Sequence, residues 1–214
     1  MKKIFLILLC LITAFSLFSC GKNYDVKKID GYVVEKSDTP TNYVRIVMKD
    51  GSAMLIELYP EYAPITVQNF KNLVSEKYYD GVTFHRVIEG FMIQGGDPDG
   101  DGRSNGDKPT IKGEFTANGV DNPLSKQHTR GVISMARANI PNSASTQFFI
   151  VHETPSVPYP YNSLDGNYAA FGRVIAGYST LDKIAGVPTN SNDKPIKAQT
   201  MAEVRFVNIV SGGN

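Results

Sequence analysis

Residues 84–97, FHRVIEGFMIQGGD, set a single arginine and a single glutamine among phenylalanine, valine, isoleucine and methionine, and close on two glycines and an aspartate. The apolar residues fall into two short runs, VTFHRVI over 82–88 and FMIQ over 91–94, broken by a glycine. Runs of this length between turn residues read as strands. The stretch also sets a chemical question: why one guanidinium should stand in so much apolar surface.

The same texture extends in both directions. Downstream, VISMAR (132–137), TQFFIV (146–151), AAFGRVI (169–175) and EVRFVNIV (203–210) are further short strands between glycine, proline and asparagine. Upstream, YVRIVMKDGSAMLIELYP gives strands over 43–48 and 53–58 around Asp50-Gly51, a strong hairpin signal. The spacing of Val67, Phe70, Leu73, Val74 and Tyr78 predicts an amphipathic helix over 66–79 with Thr66 at its cap, and a second short helix is expected over 179–185. Many short strands, two helices and no βαβ spacing define a mainly β chain, an antiparallel barrel or sandwich.

The first twenty residues, MKKIFLILLCLITAFSLFSC, have a basic start at Lys2 and Lys3, then an apolar run without an acidic residue, then a small residue before Cys20. That is the anatomy of an export signal. A membrane-spanning anchor is the competing reading, but the run over 4–18 falls short of the about 20 residues a spanning helix needs. LFSC (17–20) resembles a bacterial lipobox, which makes 1–19 the leader and Cys20 the residue that carries lipid. Cys10 follows Leu9, which lacks the small residue such a site wants. No other cysteine exists, so no internal disulfide is expected beyond the leader, although export would permit one.

Residues 20–41 are mostly polar and read as the lipid-bearing cysteine and a tether, with a short strand at YVVE (32–35); residues 42–214 read as one domain. The expected location is the cell envelope, with the domain held to a membrane through Cys20 and lying outside the cytoplasm, facing the periplasm. Net charge is +1, and −1 once Lys2 and Lys3 leave with the leader, so there is no basic footprint for nucleic acid.

Familiar site chemistries fail on spacing. QGGDPDGDGRSNGD (94–107) mimics a calcium loop through Asp97, Asp99, Asp101 and Asn105, but Lys108 stands where the bidentate glutamate is required. It also lacks the Gly-Lys-Ser/Thr ending of a phosphate loop. His85, His128 and His152 are far apart and without cysteine companions, so no metal is expected. No Gly-x-Ser-x-Gly elbow is present. What remains is Arg, Gln, Phe and Met, none of them a useful base or nucleophile near neutral pH. Such a set binds something apolar and stabilises a shape.

FHRVIEGFMIQGGDP (84–98), GVISMARA (131–138), STQFFIV (145–151) and LDGNYAAFGRV (164–174), in this order, resemble the cyclophilin-type peptidyl-prolyl cis-trans isomerases over roughly residues 43–210. The resemblance implies a closed eight-stranded antiparallel β-barrel capped by two helices, acting without a cofactor, as a monomer, on proline-containing unfolded or exported polypeptides. It makes Arg86 the residue that assists rotation and Gln94 a substrate donor that helps orient it. Phe91, Met92, Phe149 and Leu164 become walls of a proline pocket, and Ala136 and Gln147 groove positions beside the preceding residue.

Departures accompany the match. Arg137 replaces a common asparagine and is expected to shift peptide preference; Tyr168 replaces a histidine and keeps a flat ring with a polar tip. Ser163 stands where a tryptophan is associated with tight cyclosporin binding, so weak inhibition is expected. Two other readings stay open on residues alone: Arg86 as a surface ion-pair partner, and a cyclophilin-like module that holds proline segments without turnover.

Overall fold

The computed structural model describes residues 27–103, 107–156 and 162–212, so the leader, Cys10 and Cys20 lie outside the described residues. Strands β1 (Lys27–Ile29), β2 (Tyr32–Lys36), β3 (Tyr43–Met48) and β4 (Ala53–Leu58) are followed by helix α1 (Pro64–Ser75). Then come β5 (Thr83–Ile88), β6 (Met92–Asp97), β7 (Val132–Met135), β8 (Phe148–Val151), β9 (Ala170–Ala176), helix α2 (Tyr178–Ala185) and β10 (Gln199–Ser211).

All pairings are antiparallel and run β1-β2-β10-β3-β4-β9-β7-β8-β6-β5, and β5 pairs back onto β10. The ring β10-β3-β4-β9-β7-β8-β6-β5 is therefore the closed eight-stranded barrel that the resemblance implies. Period-two alternation fills it: Val44, Ile46 and Met48 from β3 and Met54, Ile56 and Leu58 from β4 all point into the main core. Helix α1 plugs one end with Phe70, whose ring centroid lies 5.1 Å from that of Phe171 and 5.6 Å from that of Phe148.

The start of α1 differs from the sequence reading. The helix begins at Pro64, whose missing N–H costs nothing in the first turn, and its N-cap Ala63 makes no side-chain capping hydrogen bond. Thr66 is not the cap but is itself capped from far along the chain. The buried Glu114 carboxylate accepts from the Ile65 N–H at 3.1 Å, and from the Thr66 N–H and hydroxyl at 2.7 Å each. A negative group there also answers the positive end of the helix.

The expected tether is the larger correction. Residues 27–36 are not free chain: β1 and β2 form a hairpin, and β2 extends the sheet by pairing with residues 207–211 of β10. Ile29 and Val34 from the hairpin pack with Leu55, Ala176 and Val207 on the outside of the barrel. Leu55 points away from the main core and needs a cover. The strand expected at 32–35 is β2; what the local pattern did not declare is the partner strand through Ile29 and the pairing onto β10.

Candidate active site

The opening stretch folds as β5, a turn at Glu89-Gly90, and β6, but its two strands are out of step in two places. The Cα partners are Thr83 with Asp97, Phe84 with Gly95, and Arg86 with Gln94, which leaves Gly96 and His85 as extra residues, one on each strand. Each is a β-bulge, and the one at His85 reverses the alternation. Phe84 and Val87 therefore enter the barrel core, while Arg86 and Ile88 emerge on the outside. Gly96 can be nothing else: its φ is +89°, and a Cβ there would lie 2.5 Å from the Thr146 carbonyl oxygen.

The glycine-rich turn that follows is organised by Asp97. Its carboxylate accepts the N–H of Asp99 and of Asp101 at 3.0 Å each, and that of Gly102. Burial alone would raise the Asp97 pKa, but the three N–H donors outweigh it and hold it below the ordinary carboxylate value. The turn covers His85, which is 5% exposed and, among the described residues, has no hydrogen-bond partner for either ring nitrogen. Burial lowers its pKa, an effect that the nearby Asp97 charge offsets only in part.

Across the outer face, Arg86 on β5 sits opposite Gln94 on β6, Gln94 opposite Phe149 on β8, and Phe149 opposite Ser134 on β7. Beside this row Met92, Phe149 and Leu164 join a second apolar cluster, with Phe91, Ala136 and Tyr168 packed at its partly exposed edge. The pocket residues expected from the sequence are thus brought together. Gln94, Ala136, Arg137 and Gln147 line an adjoining cleft of about 340 Å³.

Two partners differ from expectation. The Gln94 side-chain amide donates to Gln147 Oε1 at 3.0 Å rather than orienting Arg86. Arg86 Nε donates instead to Asp193 Oδ2 at 3.2 Å. Arg137 lies over two rings, its guanidinium carbon 5.0 Å from the Phe115 centroid and 4.8 Å from that of Tyr168, while Nε donates to the Asn167 carbonyl. Tyr168 in turn meets Phe149 edge to face at 5.5 Å.

Sequence reasoning missed what supports Phe149 from behind. His128 Nδ1 lies 3.0 Å from Asp165 Oδ1, its Nε2 lies 3.1 Å from Ser134 Oγ, and its ring stacks on Phe149. The order Asp-His-Ser imitates a hydrolase triad, but Ser134 is 0% and His128 1% exposed, so no carbonyl can reach the hydroxyl. The chain of bonds fixes an aromatic wall. Burial would raise the Asp165 pKa, yet hydrogen bonds from His128 and Asn162 bring it below the ordinary value. A scan for adjacent motifs cannot find three residues that only the fold assembles.

Comparison with known proteins agrees with this geometry. The family described as "Cyclophilin type peptidyl-prolyl cis-trans isomerase/CLD" matches residues 43–206. A peptidyl-prolyl cis-trans isomerase of Schizosaccharomyces pombe is 46% identical over 145 residues, 67% of this chain and 86% of that protein. One from Acinetobacter baylyi is 42% identical over 138 residues, 64% of this chain and 68% of that protein. Among solved structures, a cyclophilin type isomerase from Cryptosporidium parvum, determined in the presence of the dipeptide Ala-Pro, superposes with a TM-score of 0.65 at 32% identity and covers 79% of this chain and 99% of its own. With a matched family, a shared barrel and the expected pocket residues gathered on one outer face, the chain belongs to the cyclophilin-type peptidyl-prolyl cis-trans isomerases.

Proposed function

We propose that this cleft accelerates X-Pro isomerisation by seating the proline ring against Phe91, Met92, Phe149 and Leu164 and presenting the Arg86 guanidinium to the proline nitrogen. Amide resonance opposes rotation by about 18–20 kcal/mol. Twisting the bond localises a lone pair on that nitrogen, an acceptor that the planar amide does not offer. A donor that finds its acceptor only in the twisted state lowers the barrier without tightening ground-state binding. Each stabilisation of about 1.4 kcal/mol is worth a factor of ten in rate.

Gln94 and Gln147 offer amide groups to the client backbone beside the proline, and no proton or covalent bond changes hands. The observation that carries this reading is the row from Arg86 through Gln94 to Phe149, in which the one cation borders the apolar pocket. The test is isomerisation of an Ala-Pro-Phe peptide by a soluble form beginning after Cys20, beside Arg86→Ala. The expected loss is about 100-fold or more in a variant that remains folded. No acceleration by the folded wild type would leave a module that holds proline segments.

In the cell the reading is an isomerase of the envelope, cut before Cys20, anchored by lipid on that residue, and serving exported clients on the periplasmic side. Its support is the basic start, apolar run and LFSC ending of residues 1–20. Labelled fatty acid incorporated by the expressed chain and lost in Cys20→Ala is the expected result; a wild-type chain that takes up none overturns the anchor.

A further inference from the structure

Asp193 stands 107 residues from Arg86 in sequence, in the turn between α2 and β10, and no motif singles it out. We infer that Asp193 is a positioning residue for Arg86: by accepting the Nε–H it fixes the plane of the guanidinium and leaves both terminal nitrogens for the substrate. The inference rests on the reading of Arg86 given above. Among the described residues the terminal nitrogens of Arg86 make no hydrogen bond, and its ion pair is with Asp193.

The pair is not explained by stability. The two side chains are 43% and 41% exposed, and a solvated ion pair of that kind contributes little to folding. The turn is nevertheless built to hold it. Asp193 adopts a left-handed φ of +60°, and its carbonyl accepts the N–H of Val87, the residue next to Arg86, at 2.8 Å. One residue therefore grips both the strand that carries the arginine and the arginine itself.

The rest of the turn braces that residue. The Asp193 N–H donates to the Asn190 carbonyl at 3.0 Å, and Asn190 Oδ1 accepts the N–H of Asn192 at 2.9 Å and of Lys194 at 3.1 Å. Lys194 Nζ donates to the Gly100 carbonyl at 2.7 Å, which ties the turn to the loop over His85. A long side chain left to itself loses rotamer freedom at the moment of reaction. Fixing it beforehand matters because a misplacement of about 1 Å can cost about a hundredfold in rate.

The test uses the full chain purified in detergent, with Asp193→Asn, Asp193→Gly and Arg86→Ala. Asparagine and glycine both accept the left-handed backbone, so neither variant strains the turn. In Asp193→Gly, kcat is expected to fall about tenfold with KM within about twofold, and in Asp193→Asn, which keeps an acceptor, to fall less. Melting temperature is expected to hold within about 2 °C. The Nε–Hε resonance of Arg86, assigned by its disappearance in Arg86→Ala, is expected to shift in both Asp193 variants, which a merely structural turn would not cause. A wild-type kcat in Asp193→Gly, or a higher one, overturns the proposal. If Arg86→Ala keeps wild-type turnover, the role of Arg86 itself fails; if it collapses while Asp193→Gly does not, only the positioning role fails.

Discussion

Gln94 of β6 and Gln147, just ahead of β8, meet amide to amide, Nε2 to Oε1 at 3.0 Å. The bond makes two cleft-lining groups into one unit, because each orients the other. Gln94→Ala and Gln147→Ala are each expected to lower kcat/KM by about fivefold, and the double variant to be little worse than the poorer single one. Fully additive losses in a double-mutant cycle would show that the two amides act separately.

Arg137, over the rings of Phe115 and Tyr168, couples the cleft to the apolar cluster beside it, since Tyr168 also packs on Phe149. Arg137→Ala is expected to destabilise the fold by about 1 kcal/mol through the lost ring contacts. Its kinetic effect should fall on KM and on the ranking of peptides that differ beside the proline, while kcat changes little. Denaturation curves and a small peptide panel check both.

Gly96→Ala places a Cβ against the Thr146 carbonyl and a side chain on left-handed backbone. The expected destabilisation is at least about 2 kcal/mol. Because Thr146 precedes Gln147, the residual folded protein should also lose activity, which urea denaturation and the peptide assay can separate.

Stability should depend on pH through His85. Its folded pKa is lowered by burial, so below the ordinary value of 6.5 the unfolded chain takes up a proton that the folded chain refuses. Stability therefore falls as pH drops from about 6.5 toward the lowered folded pKa. His85→Gln, although less stable at neutral pH, is expected to show a flatter slope of melting temperature between about pH 7.5 and 5.5. An unchanged slope would locate the titration elsewhere.

The rate is expected to behave differently from stability. Arg86 and Gln94 do not change charge near neutrality, and the Asp97 and Asp165 pKa values are lowered, so both carboxylates are already ionised there. A nearly flat kcat/KM between about pH 6 and 8 follows. A steep one-proton profile in that window would mean an acid or base at work in the cleft.

The sequence disclosed what is local. The Asp50-Gly51 hairpin, the short strands and the apolar face of α1 are written in neighbouring residues, and motif order points to Arg86, Gln94 and Phe149. What it concealed depends on partners far along the chain. Glu114 caps a helix that begins at Pro64, Asp165 and Ser134 bracket His128, and Asp193 reaches Arg86. The bulge at His85 is a different case: the adjacent polar pair His85-Arg86 breaks the alternation over 84–88, but only the register with β6 shows that the break is one extra residue. It answers why an arginine stands among apolar residues, since the extra residue turns Arg86 outward while its neighbours face in.

The pairing of β10 has a consequence for how the molecule is made. Strand β10 joins β3 to β5 and also carries β2, so residues 199–211 complete contacts begun by residues 33–48. A chain without β10 leaves the edges of β2, β3 and β5 unpaired and cannot close the barrel. Such distant pairings slow folding and defer closure of the barrel until β10 has been made. An isomerase of this fold thus cannot close its own barrel before its tenth strand is available.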